Sequence, residues 1–392
     1  MNTPDVVAGG PDDFMTVRHL TVSGGQAEIG RALAEEARRS YGWRPRPADP
    51  VVARARRAWF ERNWPQHAAR TAAVAGMLGA DPDAVLLDGL ARMPEGSACS
   101  ALWCPPDMSS DGRGRLGRNY DFFTLAQSEV FAMMASGETW SAPPSAPSPL
   151  SAPSDEPAWC SRPFIVTTLP DEGLASVVLT MDTLDGCTEG VNEAGLSVAL
   201  LIADAGSAEV PDPRPQAGLD PLRLPRFVLE NAADTEEAKQ ALLGAKQYDG
   251  GTPMHYVIAD AAGNGFVWER GRDGMEHIIE TDGAVCATNH FLHRNSDARA
   301  LPEDGAETMG TYRRYATLAK RAADGAMSPA DLEDTLQDVA FDARTAEAYP
   351  VRTLWRTVLD PGARSMSVRF YLGDAPDGAL RLSEEAVFSA SR

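Results

Sequence analysis

The chain has 392 residues, 43% of them apolar and 23% charged, with a formal net charge of -20. That length and apolar share are enough for a substantial core, in one large domain or two smaller ones. The acidic balance argues against nucleic acid or an anionic membrane as a partner, and no apolar run approaches the roughly 18 residues of a membrane span.

The first 13 residues are polar and lack both a basic start and an apolar run, so no secretory signal is expected. Residues 15–23 read as a strand. Gly24-Gly25 then turns the chain into a helix from about Ala27 to Ser40. Residues 51–79 carry Ala, Trp, Phe and Arg at helical spacing. Asp81-Pro82 is expected to open a further short helix through Leu90, with proline in its first turn. Residues 1–98 are therefore expected to be mostly helical.

From Cys99 the pattern changes to strands. The run Cys99-Ser100-Ala101-Leu102-Trp103, a Gly/Ser/Asp-rich turn at 109–114, and Gly117-Arg118-Asn119-Tyr120-Asp121 predict a β-hairpin. A cysteine at a strand start is expected to be rigid and accessible. An arginine on the next strand lowers its pKa or orients what binds it. Further strands are expected at 164–168, 176–181, 196–202, 256–260, 265–269, 285–288, 353–359 and 366–372, separated by turns such as Asp360-Pro361-Gly362.

Helices interrupt these strands. One opens at Asp220-Pro221 and runs to about Ala232. Another starts at Asp234, with Glu237 completing a capping-box-like pattern, and ends at Ala245. Residues 311–323 form a third, and Ser328-Pro329 opens the last, ending near Val339. Strands and helices mixed without strict alternation predict an α+β fold. Residues 141–157 are rich in Pro, Ser and Ala and read as a flexible inserted loop.

Two chemistries are excluded by context. Gly112-x-Gly114-x-x-Gly117 matches a dinucleotide-binding pattern, but the strand-like Arg118-Asn119-Tyr120-Asp121-Phe122-Phe123 follows where a helix is required. The five cysteines, Cys99, Cys104, Cys160, Cys187 and Cys286, are odd in number and contain no CxxC pair, so no zinc site is expected. Reduced thiols and a cytoplasmic location are expected instead.

Four separated segments carry a resemblance. They are Cys99-Ser100 with Gly117-Arg118-Asn119-Tyr120-Asp121, Gly190-Val191-Asn192-Glu193-Ala194-Gly195-Leu196, Ala287-Thr288-Asn289-His290-Phe291, and Thr311-x-x-Arg314-x-x-x-Leu318. In this order the chain resembles the cysteine branch of the N-terminal nucleophile (Ntn) hydrolases. That branch includes the choloylglycine hydrolases and, more closely, the penicillin acyltransferase-like autoproteolytic acyltransferases and hydrolases. Thr353-Leu354-Trp355 with the two strands at the C-terminal end is similar to the family's closing hairpin. The stretch from Ser23 to Gly30 is similar to its pro-segment start. Asn192 and Glu193 fit a tight hairpin and are read as structural.

The resemblance implies a four-layer αββα sandwich and a chain cut at Ala98–Cys99. Residues 1–98 become a pro-segment or small subunit, and 99–392 the catalytic core. Cys99 is then both nucleophile and, through a free α-amine with a pKa of roughly 7.7–8.0, its own base. Arg118 stabilises the thiolate, Asp121 holds the α-amine, Asn289 supplies an oxyanion-hole donor, and Arg314 closes the site. The partners implied are a small-molecule amide or acyl donor and the chain's own cleaved N-terminal segment, with no cofactor.

The implied activity is an amidase or acyltransferase acting on a linear, non-peptide C–N bond. The chain departs from the family in having 98 residues before the cysteine, unlike the choloylglycine hydrolases, in the extra 141–157 loop, and in Ala98 where glycine is frequent. Two other readings stand beside it: a catalytically degenerate relative that binds a small molecule or partner, and a papain-like protease using Cys104 with His255. Arg118 and Asp121 are also readable as an exposed cross-strand ion pair.

Overall fold

The apolar runs bounded by turn residues build two antiparallel-rich sheets stacked face to face. A computed structural model describes residues 3–87, 98–136, 156–203, 218–247, 253–271, 275–305, 308–345 and 350–391. In chain order the elements are β1 (Asp5–Gly9), β2 (Thr16–Gly24), α1 (Gln26–Tyr41), β3 (Arg46–Pro47), α2 (Pro50–Asn63), α3 (Pro65–Leu78), β4 (Val85–Leu86), β5 (Ala98–Cys104) and β6 (Arg115–Phe123). Then come α4 (Gln127–Ser136), β7 (Phe164–Pro170), β8 (Ser176–Thr180), β9 (Glu189–Asn192), β10 (Ser197–Ile202), α5 (Arg223–Asn231) and α6 (Thr235–Gly244). The remainder is β11 (Met254–Ala259), β12 (Gly265–Arg270), β13 (Glu276–Glu280), β14 (Val285–Ala287), α7 (Thr311–Ala323), α8 (Pro329–Asp338), β15 (Val351–Asp360), β16 (Ser365–Asp374), β17 (Leu380–Leu382) and β18 (Ala386–Ser389).

One sheet has nine strands in the order β1-β2-β7-β8-β9-β10-β11-β12-β13. The other runs β14-β5-β6-β15-β16-β17, with β18 also paired to β16. Strand alternation sends Val177, Val191, Val257 and Val267 of the first sheet toward Ala101, Trp103, Leu116 and Trp355 of the second, and these form the inter-sheet core. The opposite face of the nine-stranded sheet (Val166, Val178, Val198, Ile258) packs under α1, α2, α5 and α6. On the far side α7 lies on β5 and β14, and α8 on β6. The layers are therefore α, β, β, α, as the resemblance implied.

Local chemistry explains most boundaries. Asp49 caps α2 through the N–H groups of Val51 and Val52, and a capping box between Ser328 and Asp331 opens α8. The helical stretch 51–79 is split at Trp64, because Pro65 lacks an N–H and pushes the residue before it out of the α region (φ -149°, ψ 67°). The Asn192–Gly195 turn closes on itself: Asn192 Oδ1 accepts from Ala194 and Leu196 N–H, and Gly195 takes φ +91°.

Three expectations need correction or placing. Asp81-Pro82 opens no helix: Asp81 Oδ1 accepts the Asp83 N–H, its carbonyl takes Ala84 N–H, and the chain passes into β4, paired with β3. Side-chain capture of a nearby N–H favours a turn over a helix here. Before Cys99, the strand expected at 15–23 is β2, which runs parallel to β7, and the unexpected β1 pairs with it at the edge of the nine-stranded sheet. Residues 141–155 of the Pro/Ser-rich loop lie outside the described residues. Among the described residues no helix is long and apolar enough to cross a membrane.

Candidate active site

Cys99 sits near the start of β5, a strand hydrogen-bonded on both sides, to β14 and β6. In the β5–β6 ladder Ala98 faces Asp121, Cys99 faces Tyr120 and Ala101 faces Arg118. Alternation turns Cys99 and Arg118 toward the other sheet and Ser100 toward α7. The expected accessible thiol is instead buried, at 2% exposure, because the nine-stranded sheet covers one face of β5 and α7 the other. Burial pushes the thiol pKa up, while Arg118 opposes that shift.

Arg118 is fixed from three sides. Its Nη2 lies 3.4 Å from Cys99 Sγ and 2.6 Å from the Leu200 carbonyl, and Nη1 donates to Glu189 Oε2 at 2.5 Å. Its guanidinium also covers the Tyr120 ring at 4.7 Å, which stacks on Trp355 at 3.9 Å. Glu189 Oε1 accepts from Trp355 Nε1 at 2.5 Å and Thr357 Oγ1 at 3.0 Å. Arg118 is thus not half of an exposed pair with Asp121; its carboxylate partner is Glu189 on the opposite sheet. The sequence reading missed Glu189. The one signal for it was a charge flanked by Cys187-Thr188 and Gly190-Val191 ahead of the Asn192 turn.

Asn289 and Arg314 hold the main chain of Cys99. The Cys99 N–H donates to Asn289 Oδ1 at 2.8 Å, and Arg314 Nη2 donates to the same oxygen at 2.8 Å. Two donors on that atom fix the amide orientation, so Nδ2 points the other way, to the Ile202 carbonyl at 2.9 Å. Arg314 Nη1 reaches the Cys99 carbonyl at 2.6 Å and Ser100 Oγ at 2.9 Å. Arg314 is buried and its neighbour Arg313 is exposed on the solvent face of α7.

Asp121 is also buried. Its Oδ1 accepts from Thr353 Oγ1 at 2.5 Å, and Oδ2 has no hydrogen-bond partner among the described residues. Burial raises its pKa to about 6 against the opposing charge of Arg314. Hydrogen bonds join Cys99 to Arg118 and Asn289, and Asn289 to Arg314, while Asp121 lies opposite Ala98 in the ladder. The asparagine carbonyl, rather than Asp121, takes the Cys99 nitrogen.

The rival pair does not meet. Cys104 Sγ contacts the Met108 carbonyl at 3.4 Å, and burial pushes its thiol to about 11. His255 has both ring nitrogens committed, Nδ1 to Glu269 Oε1 at 3.0 Å and Nε2 to the Thr288 carbonyl at 2.6 Å. Asn192 is structural as expected, with Nδ2 donating to the Leu229 and Ala232 carbonyls. Among the described residues no three His, Cys, Asp or Glu side chains gather as a metal site.

The αββα layering thus places Cys99 on an inner strand between the nine-stranded sheet and α7. The acyl-coenzyme A:6-aminopenicillanic acid acyl-transferase family model matches residues 108–374, more than half of the chain, and the chain belongs to that family. The matched region contains Arg118, Asp121, Asn289 and Arg314, and begins after Cys99. No curated protein matches the sequence.

Solved structures with a similar backbone include a mutant conjugated bile acid hydrolase from Clostridium perfringens, 14% identical over 74% of this chain and 96% of that one, with a TM-score of 0.46. Penicillin V acylase from Agrobacterium tumefaciens is 17% identical over 72% of this chain and 85% of its own, with a TM-score of 0.42. A Caenorhabditis elegans N-acylethanolamine-hydrolyzing acid amidase ortholog is 17% identical over 67% and 93%, with a TM-score of 0.40.

Proposed function

We propose that this protein is an autoproteolytically activated amidohydrolase or acyltransferase that acts on a linear, non-peptide amide through a thioester on Cys99. The carrying observation is that one residue presents both reacting atoms to fixed partners: Sγ to Arg118 and the main-chain nitrogen to Asn289 Oδ1.

In self-cleavage, Cys99 Sγ loses its proton and attacks the Ala98 carbonyl carbon. The C–N bond breaks, and the nitrogen leaves as the Cys99 α-amine, taking a proton. Water then attacks the thioester, releasing a carboxylate on Ala98 and restoring the thiol. Residues 1–98 and 99–392 remain together as two chains.

In turnover the α-amine accepts the thiol proton, and the thiolate attacks the substrate carbonyl. Arg118 stabilises the thiolate. The Asn289 amide nitrogen carries two N–H groups; with one on Ile202, the other serves the oxyanion. The protonated amine returns its proton to the leaving nitrogen, giving acyl-Cys99. Water or an acceptor amine then takes the acyl group, which is the only difference between hydrolysis and transfer. Asp121 supplies negative charge near the new amine, and Arg314 holds the Cys99 carbonyl and Asn289 Oδ1 in place.

Acid-quenched mixtures with a panel of N-acyl amides, read by mass, test this. A covalent acyl increment confined to the chain beginning at Cys99 is expected, and it is absent in Cys99→Ala. Turnover without any such increment, or equal turnover by Cys99→Ala, overturns the thioester. Binding without turnover across the panel favours the degenerate binding reading.

A further inference from the structure

The peptide bond between Thr288 and Asn289 is pinned at both ends. Its carbonyl oxygen takes His255 Nε2 at 2.6 Å, and its N–H donates to Thr311 Oγ1 at 2.7 Å. A peptide unit is planar, so holding its oxygen and its nitrogen together fixes where the Asn289 side chain starts.

Each pin is itself held. His255 and Glu269 face each other across β11 and β12, with Nδ1 and Oε1 3.0 Å apart. The same carboxylate accepts the N–H of Leu292 at 2.7 Å, the N–H of His293 at 3.1 Å and His293 Nδ1 at 2.8 Å. It therefore grips the loop that follows Asn289 as well as the ring that precedes it. Thr311, the first residue of α7, is locked by Thr288 Oγ1, 2.8 Å from its hydroxyl and 3.0 Å from its carbonyl. Arg314 lies one helical turn further on and donates to Asn289 Oδ1. One helix start thus sets both the Asn289 backbone and the cation on its side chain.

Stability alone does not account for this cluster. His255 and Glu269 are fully buried, and a buried polar pair costs desolvation that an apolar pair of similar volume avoids. Its distinct product is direction, delivered to the one side chain that carries the Cys99 nitrogen.

We infer that His255, Glu269 and Thr311 are positioning residues for Asn289, and through it for the nitrogen of Cys99; the inference rests on the reading of Cys99 as nucleophile. None of the three touches the reacting atoms. They act by fixing the Asn289 carbonyl against the Cys99 N–H before cleavage and against the α-amine afterwards.

Self-cleavage supplies a readout that needs no knowledge of the substrate. Full-length chain made in a cell-free reaction is sampled over time, and the fraction split at Ala98–Cys99 is read by intact mass. Thr311→Val keeps the side-chain shape and removes the hydroxyl; Thr311→Ser restores it. Splitting is expected to slow by about 100-fold in Thr311→Val, the scale of a small misplacement of a reacting group, and to return in Thr311→Ser. The melting temperature of Thr311→Val is expected to stay within a few degrees of wild type.

Wild-type splitting in Thr311→Val overturns the inference, as does a serine variant as slow as the valine one. His255→Phe removes the other pin and guards against a Thr311 variant that fails to fold. A folded His255→Phe that splits at the wild-type rate also overturns it. A wild-type chain that never splits overturns the nucleophile reading itself, and this inference with it.

Discussion

Glu189 and Arg118 meet across the two sheets as a fully buried pair, Oε2 to Nη1 at 2.5 Å. The arginine's other terminal nitrogen faces the Cys99 thiol. Glu189 therefore neutralises a cation that faces the thiol with the far side of the same guanidinium. Its second oxygen is filled by Trp355 and Thr357, so neither oxygen is spare.

Glu189→Gln leaves one oxygen for three donors and a buried arginine without its counter-charge. Removing one partner of a buried pair costs about 3–5 kcal/mol. Urea denaturation is expected to show a loss of that order, together with slower splitting at Ala98–Cys99. An unchanged midpoint with unchanged splitting contradicts this role.

Asp121 gives a pH dependence of definite sign. Its carboxyl is raised by burial from 3.8 in the unfolded chain to about 6 in the fold. The folded state therefore holds this proton more tightly, so stability falls as pH rises from about 4 to about 6 and is level above. The two-unit difference corresponds to about 3 kcal/mol. Asp121→Asn does not titrate. The difference in urea stability between wild type and this variant is expected to shift by that amount, against wild type, across the window. A flat difference contradicts the raised pKa.

The segment before Cys99 is fastened by charge. Arg70 of α3 lies 3.0 Å from both Asp185 and Glu230, and Trp64 Nε1 donates to Glu230 at 2.8 Å. Although burial opposes it, Arg70 holds both carboxyls below their usual range, so this contribution is present at neutral pH and lost on acidification. Arg70→Met removes the cation that the two carboxylates share, leaving Asp185 to His67 and Glu230 to Arg226 and Trp64. It is expected to lower stability by about 3–5 kcal/mol, and, in cleaved protein, to let the N-terminal chain separate at lower urea on size exclusion.

Cys104→Ala is expected to leave splitting and amide turnover within about twofold of wild type, since among the described residues its thiol hydrogen-bonds to the Pro105 and Met108 carbonyls and not to the residues around Cys99. A loss beyond tenfold would reopen the papain-like reading, for which His255 has no ring nitrogen to offer.

Much of the fold was legible because its strands are apolar runs between strong turn residues. Residues 164–168 and 366–372 are examples, and α8 carries a clear start signal in Ser328-Pro329. Short elements were not: β9 has four residues and begins on a glutamate, and β1 lies at a sheet edge. Asp81-Pro82 was misread because the same residues start helices and turns. Within the site, Cys99, Arg118, Asp121, Asn289 and Arg314 came from motif order. Burial of the thiol, the Glu189 counter-charge and the braced Asn289 peptide depend on contacts between residues far apart in the chain, such as Arg118 with Glu189 and His255 with Thr288, which local sequence does not display.

The most direct measurement is the intact mass of purified wild-type protein beside Cys99→Ala. The account expects two species divided between Ala98 and Cys99 in the wild type and a single 392-residue chain in the variant. A single uncut chain in both, or division at another bond, contradicts it.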